Sequence, residues 1–239
     1  MRTMISTKTD PKYKLLEIPK MPEVPCPPKG PCSDWWDILG TSVDEIPRDL
    51  RQFDESVLIR AEADFFAEQS RCLSDPSLAY HKRSYAHSIK LLAFRNGARS
   101  VWVISENLVN IARASKALQS ELPAGLHEEA QKRQKDFGKK WRDTLLCRQI
   151  GSHTSEIFNN PTKQKAESVS GDYVTPFVAA VNCRRVIAIE EIEGDIYRGT
   201  LRGRPVQYRL SMSTSSELKE DIVSFMDWFG PAIWENRNS

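Results

Sequence analysis

The stretch Trp141-Arg142-Asp143-Thr144-Leu145-Leu146-Cys147-Arg148-Gln149-Ile150-Gly151-Ser152-His153 decides how the chain is read. Ahead of it, Leu126, Ala130, Phe137, Trp141 and Leu145 recur at four- and seven-residue steps, the signature of a helix with one apolar face. Continuing that period puts Arg148 on the inward-leaning side. Five straight helical residues would set Arg148 and His153 about 140° apart around the axis, so Gly151-Ser152 is expected to bend or restart the helix and let them converge.

Working outward, the preceding segments are also helical by period. Val57, Leu58, Ala61, Phe65 and Cys72 share a face beginning near Phe53, and Ser74-Asp75-Pro76 ends it. Tyr85, Ile89 and Leu92, then Val101, Ile104, Leu108, Ile111 and Leu118, predict a helix from about Leu78 to Leu118 that Asn96-Gly97 could kink. Leu122 to Gly125 connects it to the helix of the quoted stretch.

The first 33 residues carry seven prolines, from Pro11 to Pro31, which remove backbone donors and exclude a helix. An extended arm over residues 1–52 is expected, with an edge strand at Tyr13 to Ile18, an irregular turn from Cys26 to Cys32, and Trp35-Trp36 anchoring it to the core. After His153, residues Asn159 to Ser170 read as a polar loop. Thr175-Pro176 reads as a cap followed by proline, opening a helix to about Glu191, with a strand over Arg185 to Glu190 as the alternative. Gly194 and Arg202-Gly203 bracket alternating segments that predict a β-hairpin, which should pack on the bundle or recruit the strand near Leu15 as a third member. Thr214-x-x-Glu217 reads as a capping box for a last amphipathic helix. The fold class is therefore mainly α: a helical bundle over 53–192, an extended proline-rich arm before it, and a hairpin plus helix over 193–239.

A net charge of +2 from 34 basic and 32 acidic residues leaves any nucleic-acid contact to a local patch. Such a patch is offered by Lys132, Lys135, Lys139, Lys140 and Arg142, opposite the apolar stripe, although Glu128, Glu129 and Asp136 also suit a solvated face. A second is Arg198, Arg202, Arg204 and Arg209 with Tyr197 and Tyr208 on the hairpin, for which a sheet with one wet face is the plainer account. Five dispersed cysteines, without metal-ligand spacing, fit a reduced cytoplasm and argue against a Cys26–Cys32 disulfide. No metal or other cofactor is implied by any motif. Without an apolar run of about 18 residues, a soluble, non-membrane protein is expected.

Arg148, Gln149 and His153 match the Arg-(polar)-x3-His pattern, and in this the chain resembles the HEPN domains, all-α ribonucleases and nucleotide-binding modules. The resemblance spans about Asp54 to Ile192. It implies metal-independent RNA cleavage at a composite site across a homodimer, with RNA as substrate and an antitoxin or other protein as a further partner. His153 would serve as general base or acid at the ribose 2′-hydroxyl, Arg148 would stabilise charge on the phosphate, and Gln149 would assist. Ser155 stands where the toxin branch carries a tyrosine. The family also includes binding scaffolds that cleave nothing, so a non-catalytic HEPN-like interaction module is the alternative expectation. A separate, purely structural reading has Arg148 covering helix-end carbonyls and His153 capping or filling the bundle edge.

Overall fold

The computed structural model describes residues 18–25, 30, 32–159, 162, 168–174, 179–187, 191–201 and 204–235; for 151–159, 168–174, 179–187, 200, 201, 204, 234 and 235 it describes the backbone alone. In order, the elements are α1 (Ser33–Gln69), a 3-10 turn (Ser70–Cys72), α2 (Pro76–Ala117), α3 (Leu126–Lys140), α4 (Arg142–Asn159), β1 (Ser168–Val174), β2 (Ala179–Ile187), β3 (Glu191–Glu193), β4 (Ile196–Leu201), β5 (Arg204–Arg209) and α5 (Met212–Glu235). The described part is mainly helical, with a small three-stranded antiparallel sheet towards the C-terminus.

α1 and α2 form a long antiparallel hairpin, and its seam follows a seven-residue repeat. Ser42, Asp49, Ser56 and Ala63 are buried along α1 and Ser70 in the turn that follows it; Ala79, Ala86, Ala93, Ser100, Asn107 and Ala114 are buried along α2. A strict period of seven keeps one row facing the partner as the helices supercoil, and small side chains let the axes approach closely. Beside these rows, Leu39, Ile46 and Phe53 of α1 and Phe94, Val101 and Leu108 of α2 supply the bulk of the core. Asp75 caps α2, accepting from the backbone N–H groups of Ser77 at 2.8 Å and Leu78 at 3.2 Å, with Pro76 at the first helical position. α2 continues through Asn96-Gly97 without interruption.

Residues 33–52 are helical rather than part of an extended arm. The reason is the spacing Trp36, Leu39, Val43, Ile46, Leu50, Phe53, Val57: all are buried at alternating three- and four-residue steps, and the contacts they make carry the helix past Pro47. Of the arm proper, Ile18 to Pro25 is described and lies on the core without regular structure, Pro22 against Gly230 and Val24 against Gly40. The edge strand expected from Tyr13 lies, as far as Glu17, outside the described residues, as do Cys26 to Lys29. Cys32 forms no disulfide.

The helix expected from Pro176 to Glu191 is not formed. β1 and β2 pair antiparallel instead, from Ser168↔Ile187 to Val174↔Ala179, so the segment read as a polar loop contributes a strand at its end. Val181, Val186 and Ile187 are β-branched, and Val169, Tyr173 and Val174 provide a matching partner strand, so pairing overrides the cap-like Thr175-Pro176 signal. The C-terminal hairpin forms as expected by β4 and β5, with Tyr197↔Tyr208 and Gly199↔Val206 in register. Among the described residues its third strand is β3, and Gly194 supplies the left-handed conformation (φ +58°) for the β3–β4 turn; the segment around Leu15 lies outside the described residues.

One face of this sheet packs on the helices. Tyr197 and Tyr208 stand 5.8 and 5.6 Å from Phe94, and Gly199 lets Ile150 of α4 approach the strand. α5 starts one turn before the capping-box position, because Ser211 Oγ accepts from the Thr214 N–H at 3.2 Å and takes the cap role. It is tied to α1 through Asp54, which is buried, accepts from Lys219 Nζ at 2.6 Å and also accepts from the Ser215 hydroxyl.

Candidate functional site

Arg148 lies on α4 where that helix crosses α2. It is half-buried, and its guanidinium carbon sits 3.6 Å above the ring centre of Trp102, a stacking distance for a planar cation on an aromatic face. Thr144, Cys147 and Ile150 of α4 are buried around it, so the Arg148 turn is held by packing on both sides. Gln149 next to it is exposed.

α4 runs without a break from Arg142 to Asn159, through Gly151-Ser152, so the helix does not restart there. A glycine followed by serine lowers helix propensity, but the turn on either side is already formed and propagation adds a backbone hydrogen bond per residue. Positions 148 and 153 therefore leave the helix about 140° apart and about 7.5 Å along its axis. The His153 side chain lies outside the described residues.

The basic residues of α3 belong to a different neighbourhood. Lys132, Lys135, Lys139, Lys140 and Arg142 are all exposed. Lys132 pairs with Glu129 at 3.5 Å and Lys139 with Asp136 at 3.0 Å along their own helix. Lys140 reaches to α5, 2.8 Å from Asp221 and 3.0 Å from Glu217, and lies over the Trp141 ring, while Trp141 Nε1 donates to Asp221 at 2.8 Å. Burial alone would lower the Lys140 pKa, but the hydrogen bonds to Asp221 and Glu217 outweigh it, so the ammonium titrates above its ordinary value. The structure thus turns Lys140 towards α5 and Arg148 towards α2.

Between α3 and α5 runs an open groove of about 360 Å³ with Phe137 and Phe225 at its floor. Its wall alternates Lys132, Arg133 and Lys140 with Glu129, Asp136 and Asp221, so it carries no net field of one sign. Arg133 lies 4.8 Å over Trp228 and donates to Glu129 at 2.9 Å.

On the hairpin the two tyrosines of the second candidate patch are buried, and the arginines occupy the opposite, wet face: Arg198 with Glu193, Arg209 with Asp195 at 3.6 Å. Arg202 and the Arg204 side chain lie outside the described residues. Elsewhere, Glu121 accepts from Trp36 Nε1 at 2.8 Å and from the Cys32 thiol, which holds its carboxyl below the usual range and pushes the thiol up. Among the described residues no group of three His, Cys, Asp or Glu side chains is placed to hold a metal ion. No helix among them is long and apolar enough to cross a membrane.

Trp102 is the site residue that sequence reasoning passes over. It falls in a run with both helix and strand propensity, and nothing local distinguishes it from a core aromatic; only the crossing of α4 over α2 gives it a cation to carry.

The class that these elements define is a mainly α protein built on a long helical hairpin with a small antiparallel sheet. Comparison with protein-family models, with curated proteins and with solved structures finds no match.

Proposed function

We propose that the chain is a non-catalytic, HEPN-like helical interaction module. The observation that supports this is the unbroken backbone of α4 between positions 148 and 153, together with the engagement of Arg148 with Trp102. A general acid or base must come within hydrogen-bond reach of the group it serves, and a continuous helix spaces positions 148 and 153 about 140° apart around its axis. The test is incubation of the purified chain with single-stranded RNA in EDTA. No cleavage above that of His153→Ala is expected. Cleavage that vanishes in both His153→Ala and Arg148→Ala, with both variants still folded at the assay temperature by circular dichroism, overturns the reading.

A second reading, a metal-independent endoribonuclease of HEPN type, is favoured by the way Trp102 holds the Arg148 guanidinium in a fixed plane. In it two cytoplasmic copies contribute to one composite site. His153 of a second copy would act on the ribose 2′-hydroxyl of an RNA strand, Arg148 would stabilise the phosphate, Gln149 would assist, and Lys132, Lys135, Lys139, Lys140 and Arg142 would guide the RNA backbone.

A further inference from the structure

The distal half of the α1–α2 hairpin exposes large apolar side chains in an ordered pattern. On α2, Leu78, Lys82, Tyr85, Ile89 and Leu92 follow four- and three-residue steps in alternation, the spacing of a coiled-coil seam. Leu78, Tyr85 and Leu92 are 47, 66 and 57% exposed. On α1, Ile59, Glu62 and Phe66 continue the same kind of stripe, with Ile59 and Phe66 38 and 45% exposed. In an antiparallel pair both stripes fall on the same flank, beside the Ala63 and Ala86 rows that already face each other.

We infer that this flank is covered by the same flank of a second copy, two hairpins making an antiparallel four-helix contact. Charge selects that occupant. On this flank α1 carries Glu55 and Glu62, and α2 carries Lys82 with no carboxylate anywhere in residues 76–105; Asp54 and Asp64 are already paired within the copy, with Lys219 and with Arg60 and Lys90. A two-fold axis that lays α1 of one copy on α2 of the other sets an acidic helix against a basic one twice, whereas the parallel arrangement sets like on like. The adjacent Glu55, Glu62 and Glu68, all exposed, disfavour an anionic lipid surface as the occupant.

The area is of the right scale. Five half-exposed large side chains present roughly 500 Å² of apolar surface per copy, the size of patch that marks an interaction site. Two copies then bury about 1,000 Å² before the flanking charges are counted, at the lower edge of specific interfaces, so a reversible dimer is expected. Tyr85 lies about 25 Å along α2 from Trp102, so this contact is separate from the Arg148 region.

The inference gives the interaction-module reading its partner and rests on it. Sedimentation velocity of the full chain from about 1 to 100 µM tests it. A monomer–dimer equilibrium is expected, weakened at least tenfold by Tyr85→Lys/Leu92→Glu with the melting temperature unchanged, because both side chains are exposed. Glu62→Lys and Lys82→Glu should each weaken it, and the two together should restore it. A chain that stays monomeric, or a dimer indifferent to Tyr85→Lys/Leu92→Glu, overturns the inference and leaves the module reading standing. A monomer that binds phosphatidylserine vesicles overturns it in favour of a lipid surface, and RNA cleavage by an intact hairpin dimer overturns the module reading alone.

Discussion

Replacing Lys219 with methionine removes one half of the ion pair that joins α5 to α1. Lys219 Nζ lies 2.6 Å from Asp54 Oδ2, and the two side chains are 9 and 5% exposed. Methionine keeps the length and apolar packing of the lysine stem, so what changes is the charge. Asp54 keeps its bond from the Ser215 hydroxyl but is left as a buried carboxylate without a counter-ion. Breaking such a pair from one side costs about 3–5 kcal/mol, whereas replacing both partners is close to neutral. For a chain of this size the loss corresponds to a fall in melting temperature of about 10 °C. Asp54→Asn/Lys219→Met should recover most of it, because the amide oxygen still accepts from Ser215 and no charge remains to desolvate. Urea unfolding followed by far-ultraviolet circular dichroism on the two single variants and the double variant closes the cycle. A single-variant loss under about 1 kcal/mol, or a double variant as unstable as the sum of the singles, would refute the claim that desolvation dominates this contact.

Gly97→Ala should destabilise despite the better helix propensity of alanine. The new Cβ would stand 2.8 Å from Leu210 Cδ1 and 3.4 Å from the Tyr208 hydroxyl, and overpacking of about 1–3 kcal/mol exceeds a propensity gain of about 1 kcal/mol; an unchanged or higher unfolding midpoint contradicts this. Asp49→Asn should stabilise at pH 7. Burial raises the Asp49 pKa, Arg48 and Arg99 oppose that and Glu45 adds to it, so the folded state holds the proton more tightly than the unfolded chain does. The cost of the carboxylate therefore grows as pH rises from the unfolded value near 4 through the raised folded value, and the advantage of asparagine should vanish in melting curves taken below about pH 4. Arg148→Ala should lose about 0.5–2 kcal/mol of stability by removing the guanidinium from Trp102, and Trp102→Phe should lose less; equal stability of Arg148→Ala and the parent would deny the stacking any role.

The helices most legible in the sequence are those whose large apolar residues repeat without punctuation. α2 is legible almost to its ends, because the stripe from Ile104 to Leu118 is long and Ser74-Asp75-Pro76, legible as the stop of the helix before it, also turns out to be its cap. The first half of α1 carries an equally regular pattern from Trp36 to Val57, yet the proline density before it and Pro47 within it suggest an extended chain. Tertiary contact decides such cases: each buried residue of that stripe meets the core, and together they outweigh one missing backbone bond. β1 and most of β2 are illegible for the opposite reason, since a strand of this length is specified by its partner and neither segment alternates cleanly; only the end of β2, Arg185 to Ile187, falls in the strand kept as an alternative. At the candidate site the sequence supplies Arg148 and its partly buried face. It cannot supply Trp102, 46 residues earlier in the chain. Nor can it say whether glycine and serine at 151 and 152 interrupt a helix whose neighbours favour continuing it.

The seven-residue rows of small residues account for features that large-residue periodicity leaves apart. Hydrophobic patterning is nearly silent about Ser42, Asp49, Ser56, Ala63 and Ser70, yet their burial sets the line along which α1 lies on α2. A close seam of small side chains fills little volume, so near the tip it leaves the larger residues on the flanks, where Tyr85 and Leu92 face solvent; nearer the body, Phe94, Val101 and Leu108 are covered by other elements. The same geometry therefore supplies a hairpin long enough to extend beyond the α3–α5 body and a surplus of apolar surface on its flank. Asp49 and Asn107 are polar members of the rows, and among the described residues Asp49 Oδ2 and Asn107 Nδ2 find no hydrogen-bond partner, so close approach of the two helices is kept at some cost in desolvation. If close approach is what keeps the flank residues outside, then Ala86→Leu should separate the helices, weaken the fold by about 1–3 kcal/mol and at the same time weaken self-association, although position 86 is itself buried and touches no second copy.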